Sequence, residues 1–392
     1  MSVIQRPAKG DGVDSPLYRR IQKTLRERVA RGDWETGQML PSRRQLCAEF
    51  RTTSATLDKA IQGLIAEGVL RASRGSGTFV ADGGEAAETP RSMRIGVVIK
   101  RDSVRETLEE HWDENFYFGP LFGGIRDAMT GQGEVVYTQL QRSDYKSYFH
   151  EAGLDGMILV LPPLEDVDAL RDLAQDAVPF VATGFSTGGA GDDLIPSVDV
   201  DNREGAEQAV RYLLELGHTR IAIVNLALSQ ANHHDRLEGY RRALAEAGVP
   251  LEPNDLVLNP TYNATRFEPL IEEWLTRAAG SLPTAIFACD YLMTLATLRV
   301  LRRHRIRVPE DISVVSFDDP VSAGNLTPPL TTIRQPVAQL GRVAAQRLLT
   351  ALHGGEDALP LRGAQILPTK LIVRESAAAP RTIPITPALA VA

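Results

Sequence analysis

Leu17, Ile21, Leu25 and Val29 recur at every fourth position, the spacing of one face of a helix. Gly32 ends that helix. A short connection, Asp33–Leu40, leads to Pro41 and Ser42. Ser42 is a good N-cap, and Gln45 stands three residues on, where a capping box needs its reciprocal acceptor. The second helix runs to about Phe50 and buries Leu46 together with Cys47 or Phe50. Thr53 or Ser54 caps a third helix, whose apolar face is Leu57, Ile61, Leu64 and Ile65 and which Gly68 ends. Val69 and Leu70 start a strand, Arg74-Gly75-Ser76-Gly77 turns it, and Thr78-Phe79-Val80 returns. The predicted order is three helices followed by a two-stranded hairpin.

From Arg94 the pattern changes. RIGVVI, DGMILV, PFVAT, RIAIV, TAIFA and ISVVSF are short β-branched runs, each followed by an amphipathic helical segment. Runs of this kind are strands buried on both faces, and their alternation with helices predicts doubly wound α/β lobes with parallel sheets. ADGGEAAETPRSM, between the two patterns, has the composition of a flexible linker. The polar start and the Ala/Pro-rich end read as loose tails. The expected division is a tail at 1–14, a helical unit at 15–80, a linker at 81–93, an α/β body at 94–376 and a tail at 377–392.

Charge sharpens this division. The chain carries a net −7, yet residues 1–80 hold 14 Lys and Arg against 8 Asp and Glu, which leaves about −13 on the rest. A basic end on an acidic body is the footprint of a protein that offers one face to phosphate. No apolar run reaches the length of a membrane helix, and the first residues lack the apolar core of a secretory signal, so a cytoplasmic location and no membrane partner are expected. Cys47 and Cys289, far apart and in apolar patterns, are expected to be buried and reduced.

Three spaced motifs in the first unit agree in order: LPSRRQLCAEF, TTSATLDKAIQGLIAEGVL and RASRGSGTFV. Together they resemble the DNA-binding domain of the GntR family over about 65 residues. The resemblance implies a winged helix-turn-helix, with the third helix in the major groove and the second helix and wing on phosphates. It implies DNA contacts from Ser42, Arg43 and Arg44 at the start of the second helix, and from Thr53, Ser54 and Thr56 where the third helix meets the groove. Arg71 and Arg74 supply wing charge, and Gly75 and Gly77 let the wing backbone approach closely. Ser42, Thr53, Ser54 and Thr56 serve equally as helix caps. Ser54 and Asp58 depart from the family, which often has Arg at both places. Asp58 repels phosphate, accepts from cytosine N4, or lies off the interface.

In the body, DNREGAEQAVRYLLELGHTRIAIV, RLEGYRRALAEAGV, IRVPEDISVVSFDD and NLTPPLTTIRQP resemble the effector domain of the LacI/GalR family, over about 280 residues. That resemblance implies a two-lobed, periplasmic-binding-protein-like fold with a ligand cleft at the carboxyl ends of the strands. A GntR-type head on such a body is the layout of arabinose-responsive regulators. Arg236, Asp290 and Asp318 match polar ligand contacts of the family, and an Arg with two acids suits a polyhydroxyl molecule. Phe116, Tyr117, Phe118 and Tyr291 are aromatic candidates for stacking, although core packing is the commoner fate of such side chains. Asp201 and Asn202 are expected to stabilise the start of the next helix.

The expected function is a ligand-responsive transcription regulator, a repressor of carbohydrate genes that binds a pseudo-palindromic operator as a homodimer. Its expected partners are double-stranded DNA and a small sugar-like effector, with no cofactor. The dimer contacts are expected around TPPLTTIRQP and the helix near Asp290–Arg302. Competing readings are weaker. Gly184-Phe185-Ser186-Thr187-Gly188 matches a hydrolase elbow, but glycines rather than a helix follow. His233-His234-Asp235 lacks further metal ligands at useful spacing and reads as a loop before a helix. A periplasmic carrier would need an export signal and has no use for a basic head.

Overall fold

The computed structural model describes residues 17–66, 68–73, 77–81, 92–100, 116–186, 193–226, 230–259, 266–278, 281–354 and 361–381. The chain divides into two compact units, 1–92 and 93–392. The linker segment 82–91, the acidic stretch 101–115, and Arg74 and Gly75 lie outside the described residues.

The first unit is built on α1 (Leu17–Ala30), α2 (Arg43–Phe50), α3 (Ser54–Ala66), β1 (Leu70–Ser73) and β2 (Gly77–Val80). Its core joins Ile21 and Leu25 of α1, Leu46 of α2, and Leu57, Ile61 and Leu64 of α3 to Leu70 and Val80 of the hairpin. Leu17, the first residue of the four-residue repeat, is exposed, because α1 extends one turn beyond the surface it covers. The connection after α1 does more than connect. Trp34 is buried there under the Arg28 guanidinium, 4.3 Å from the ring centre, and Met39 forms an isolated antiparallel bridge to Phe79 at the edge of the two-stranded wing.

The second unit has two lobes, each a six-stranded sheet flanked by helices. The first lobe contains β3 (Met93–Lys100), α4 (Phe118–Met129), β4 (Gly133–Leu140), α5 (Tyr145–Glu151), β5 (Gly156–Val160), α6 (Val167–Gln175), β6 (Phe180–Thr183) and β7 (Ser197–Val200). The chain then crosses to the second lobe: α7 (Asn202–Glu215), β8 (Ile221–Leu226), α8 (Ala231–Glu246), β9 (Leu256–Asn259), α9 (Phe267–Arg277), β10 (Ala285–Ala288), α10 (Tyr291–Arg303), β11 (Ser313–Phe317) and β12 (Thr331–Arg334). It returns for α11 (Val337–His353) and β13 (Ala364–Leu367), then crosses a third time to β14 (Lys370–Ile372). The strand orders are β13-β7-β6-β5-β3-β4 and β14-β12-β11-β10-β8-β9. Every pairing is parallel except β12 with β14. This is the two-lobed doubly wound α/β fold expected from the strand–helix alternation.

Helix α11 returns to lie across α4. A Cβ on Gly124 would collide with the Ala338 carbonyl, and one on Gly341 with the Leu121 carbonyl, so the two backbones meet where neither residue has a side chain.

Three expectations need correction. The start of the expected C-terminal tail is pinned: Ala378 N–H donates to Ser313 Oγ at 3.0 Å, and Arg381 pairs with Asp311 at 2.6 Å. His233 lies inside α8 rather than in a loop. Cys289 is buried, but Cys47 is only half-buried, 3.9 Å from Ser54 Oγ; both are free thiols.

Candidate DNA-binding surface and effector site

In the head, Ser42 caps α2 through a complete capping box. Its Oγ accepts from Gln45 N at 3.4 Å, and Gln45 Oε1 accepts from Ser42 N at 2.9 Å. Arg51 ends α2 in the left-handed region at φ 47°, and two residues later Thr53 opens α3. Thr53 Oγ1 accepts from Thr56 N at 3.4 Å and lies 3.1 Å from Thr56 Oγ1. Capping is therefore a role that Ser42 and Thr53 fill, while both remain exposed with Ser54, Arg43 and Arg44. Arg71 is exposed on the wing, its guanidinium 5.1 Å from the centre of its cross-strand neighbour Phe79. Gly77 has φ 124°, a conformation that side chains resist, and a Cβ there would press on Met39 Sδ at 3.0 Å.

The core-facing residues of α3 leave Ser54, Asp58 and Gln62 along its outer ridge, spaced four apart. Asp58 is not left as a bare charge. Its Oδ1 accepts from Arg43 Nε at 2.6 Å, so the acid on α3 and the first residue of α2 form one pair.

In the body, Arg236 is the centre of a buried polar cluster. It projects from α8, is 2% exposed, donates from Nε to Asn202 Oδ1 at 3.0 Å and from Nη1 to the Cys289 carbonyl at 2.5 Å. Its guanidinium also lies over Phe317, 3.7 Å from the ring centre. Asp318 follows β11 directly and Asp290 follows β10 after Cys289, as expected for residues at the carboxyl ends of parallel strands. Asp290 caps α10, accepting from Leu292 N at 2.7 Å and Met293 N at 3.3 Å. Asp318 sits at φ 76°, a strained conformation for an acid, and accepts from Gln335 Nε2.

A third acid, not singled out in the sequence, completes the cluster. Asp199 is buried in β7, accepts from Val200 N at 2.7 Å and receives Asn202 Nδ2 at 3.2 Å. Burial pushes Asp199 up to about 7, against the pull of its backbone donor and of Arg236. Burial, then the nearby Asp318 carboxylate, pushes Asp290 up to about 6. Asp318 is raised for the same first cause, with Arg236 and Gln335 opposing. Burial also raises the Tyr117 hydroxyl, with Asp199 and Asp318 adding to the effect, so Tyr117 faces the same acids.

The aromatic candidates separate. Phe116, just before α4 in the first lobe, meets Tyr291 of the second lobe edge-to-face at 5.3 Å. The Tyr291 hydroxyl donates to Ser322 Oγ at 2.8 Å. Tyr117 stands by the acids, whereas Phe118 is buried in the first-lobe core. His233 belongs to the supporting shell: its Nδ1 lies 2.9 Å from Asn225 Oδ1, and burial holds its ring well below the usual imidazole range. Asp201 caps α7 by accepting from Glu204 N at 2.9 Å, as expected. For the hydrolase elbow, Thr187 and Gly188 lie outside the described residues.

Each crossing between the lobes touches this cluster. Asn202 follows the first crossing and binds Arg236 and Asp199; Gln335 lies in the second and binds Asp318. At the third, Thr369 and the Phe317 ring both crowd Gly205, where a Cβ would lie 2.9 Å from each. Asp319, beside Asp318, pairs with Arg334 at 2.6 Å and Arg374 at 2.7 Å, tying down the strands that flank the second and third crossings. Among the described residues no group of His, Cys, Asp and Glu is arranged to hold a metal ion, and no helix is long and apolar enough to cross a membrane.

Comparison with known proteins agrees with both halves of this description. Residues 17–80 match the bacterial regulatory proteins of the gntR family, and residues 210–377 match the periplasmic binding protein-like domain. The chain is 34% identical to the HTH-type transcriptional regulator CelR of Thermobifida fusca over 295 residues, covering 73% of this chain and 84% of that protein. It is 29% identical to the HTH-type transcriptional regulator DegA of Bacillus subtilis, covering 74% and 86%. Among solved structures, a LacI family regulator from Mycobacterium smegmatis superposes with a TM-score of 0.60 at 27% identity, over 73% of this chain and 100% of that one. A LacI family regulator from Enterococcus faecium, solved with bound ribose, gives 0.60 at 26%, over 74% and 100%. The fold is also that of a CelR–cellobiose complex, with a TM-score of 0.64 at 24% identity, over 86% and 100%. These relatives are regulators and not enzymes. The chain belongs to the LacI-type transcription regulators, and it carries a gntR-type DNA-binding head in front of their periplasmic-binding-protein-like body.

Proposed function

We propose that the chain represses carbohydrate-metabolism genes by binding a pseudo-palindromic operator as a homodimer, and that a sugar-like effector in the inter-lobe cleft changes that binding. The carrying observation is the buried arrangement of Arg236 with Asp199, Asp290 and Asp318 around it and Phe317 beneath it. Acids accept from ring hydroxyls, the guanidinium donates, and aromatic faces cover apolar sugar surface. Phe116 and Tyr291, one from each lobe, close the entrance over the ligand, and Tyr117 lines it. The ribose and cellobiose in the related structures favour the same ligand class.

In the head, α3 enters the major groove with Thr53, Ser54 and Thr56 at its leading end. Ser42 and Arg44 hold phosphate at the start of α2, Arg43 faces the DNA beside them, and Arg71 and Gly77 bring the wing to the backbone. Arg74 and Gly75, outside the described residues, complete the wing in this reading. The protein works in the cytoplasm, needs no cofactor and touches no membrane. An effector that weakens operator binding tenfold does so through about 1.4 kcal/mol of coupling.

The test is a thermal-shift screen of mono- and disaccharides, sugar acids and nucleosides, followed by gel shift on the promoter beside the gene with and without each hit. A saccharide that raises the melting temperature and changes the gel shift supports the reading. A screen in which only nucleosides stabilise the protein, or a promoter that is never retarded, ends it.

A further inference from the structure

Lys59 is the one basic residue of α3, and its ammonium is turned onto the Tyr18 ring of α1, 4.4 Å from the centre. The outer ridge of Ser54, Asp58 and Gln62 therefore has no cation of its own. The guanidinium that reaches the ridge comes from Arg43 on α2, and it is held there by Asp58. Only Nε is engaged; among the described residues no other hydrogen bond or ion pair occupies Arg43. Both side chains are about half exposed, 53% and 44%, so the pair stands in solvent as part of the docking surface rather than in the core.

An arginine tethered through Nε keeps two terminal nitrogens side by side at the far end of a planar fork. That fork matches guanine O6 and N7, the commonest specific contact in the major groove. An untethered arginine at the same place would sample many rotamers and settle on phosphates, which carry no sequence information. We infer that Arg43 and Asp58 act as one base-reading unit: Arg43 reads a guanine in each half-site, and Asp58 is a positioning residue that aims it. This rests on the docking of α3 proposed above. It gives Asp58 a role opposite to simple repulsion of phosphate, because the acid spends its charge on Arg43 and converts a general cation into a selective one.

The experiment is selection of a randomised duplex library by the full-length protein at fixed moderate salt, followed by affinity measurement on the enriched duplex and its single-base variants. Wild type should enrich one guanine per half-site. Arg43→Ala should lose that preference by roughly tenfold or more. Asp58→Ala should bind total DNA as well as wild type or better, yet lose most of the same preference. The double variant should read like Arg43→Ala alone, and Asp58→Glu, which keeps the acceptor, should restore part of the preference. Melting curves on each variant separate misfolding from misreading. If Asp58→Ala enriches the same bases to the same degree as wild type, the inference fails, whatever happens to overall affinity. Arg44→Ala distinguishes this failure from failure of the docking itself. Weakened binding by Arg44→Ala with unchanged base choice in the other variants sinks only the pair. Unchanged binding by Arg44→Ala, or a wild type that enriches no sequence, sinks both.

Discussion

Arg236 donates from Nε to Asn202 Oδ1 at 3.0 Å, so the central cation of the candidate effector site is bonded to the residue with which the chain enters the second lobe. Asn202 in turn holds Asp199 of the first lobe at 3.2 Å. One amide thus connects a cation in one lobe to an acid in the other. Any ligand that draws Arg236 or Asp199 toward itself acts on the hinge without an intermediary.

The same bond makes Arg236 structurally expensive to remove. Arg236→Met leaves Asn202 Oδ1 and the Cys289 carbonyl without their donor and three buried acids without their counter-ion. The expected loss is about 3–5 kcal/mol in urea unfolding of the effector-free protein. Arg236→Lys should lose less, but it cannot reproduce the planar stack on Phe317. A loss below about 1 kcal/mol for Arg236→Met would contradict the account.

Asp199 predicts a pH dependence with a definite sign. Burial raises it from 3.8 to about 7, so between those values the folded protein holds a proton that the unfolded chain has released. Stability contributed by this group is present in acid and is lost as pH rises through that window, at up to about 1.4 kcal/mol per pH unit. Asp199→Asn should flatten the slope of melting temperature against pH between 4 and 7 relative to wild type. Parallel curves for the two proteins would place Asp199 in a solvated site instead.

Gly341→Ala should be among the more damaging small substitutions. The added methyl group meets the Leu121 carbonyl, which belongs to a rigid helix and cannot swing aside. The two helices must separate, at a cost of about 1–3 kcal/mol or more. The urea midpoint should fall accordingly. Gly131→Ala, with nothing near its Cβ position, isolates backbone strain at φ 76° as the control.

Arg44 is exposed at the second position of α2 and makes no ion pair among the described residues. If it neutralises one phosphate, Arg44→Ala should weaken operator binding and reduce the slope of log affinity against log salt by about 0.9. Fluorescence anisotropy over a salt series measures both. An unchanged slope removes Arg44 from the phosphate contacts.

The parts of this structure that were legible in the sequence are those where one physical requirement dominates. Six central strands announced themselves because burial on both faces leaves only apolar, branched residues, as in Ile158 and Val314. Edge strands such as β4, with exposed Tyr137, lack that signature and were not singled out. Family motifs singled out Arg236, Asp290 and Asp318 as candidates, whereas Asp199 lies in SVDVDN, where nothing local marks it as a member of the same buried cluster. His233 was misread because two histidines and an acid look like a loop; the tertiary partner, Asn225, explains why the ring is buried in a helix. The Arg43–Asp58 bond joins residues fifteen apart on different helices, a relationship that no periodicity encodes.

The return of the chain to the first lobe has a consequence for its birth. β13 borders β7, and α11 covers the sheet made of β3 to β7, yet both are synthesised after nearly the whole second lobe. A ribosome that has released residues 93–200 has therefore released a sheet missing one edge and a helix that should cover its apolar side. That half-finished lobe must wait, with Val181 and Val198 uncovered by that helix, until the last seventh of the chain emerges, and this interval is when a nascent copy most needs a chaperone.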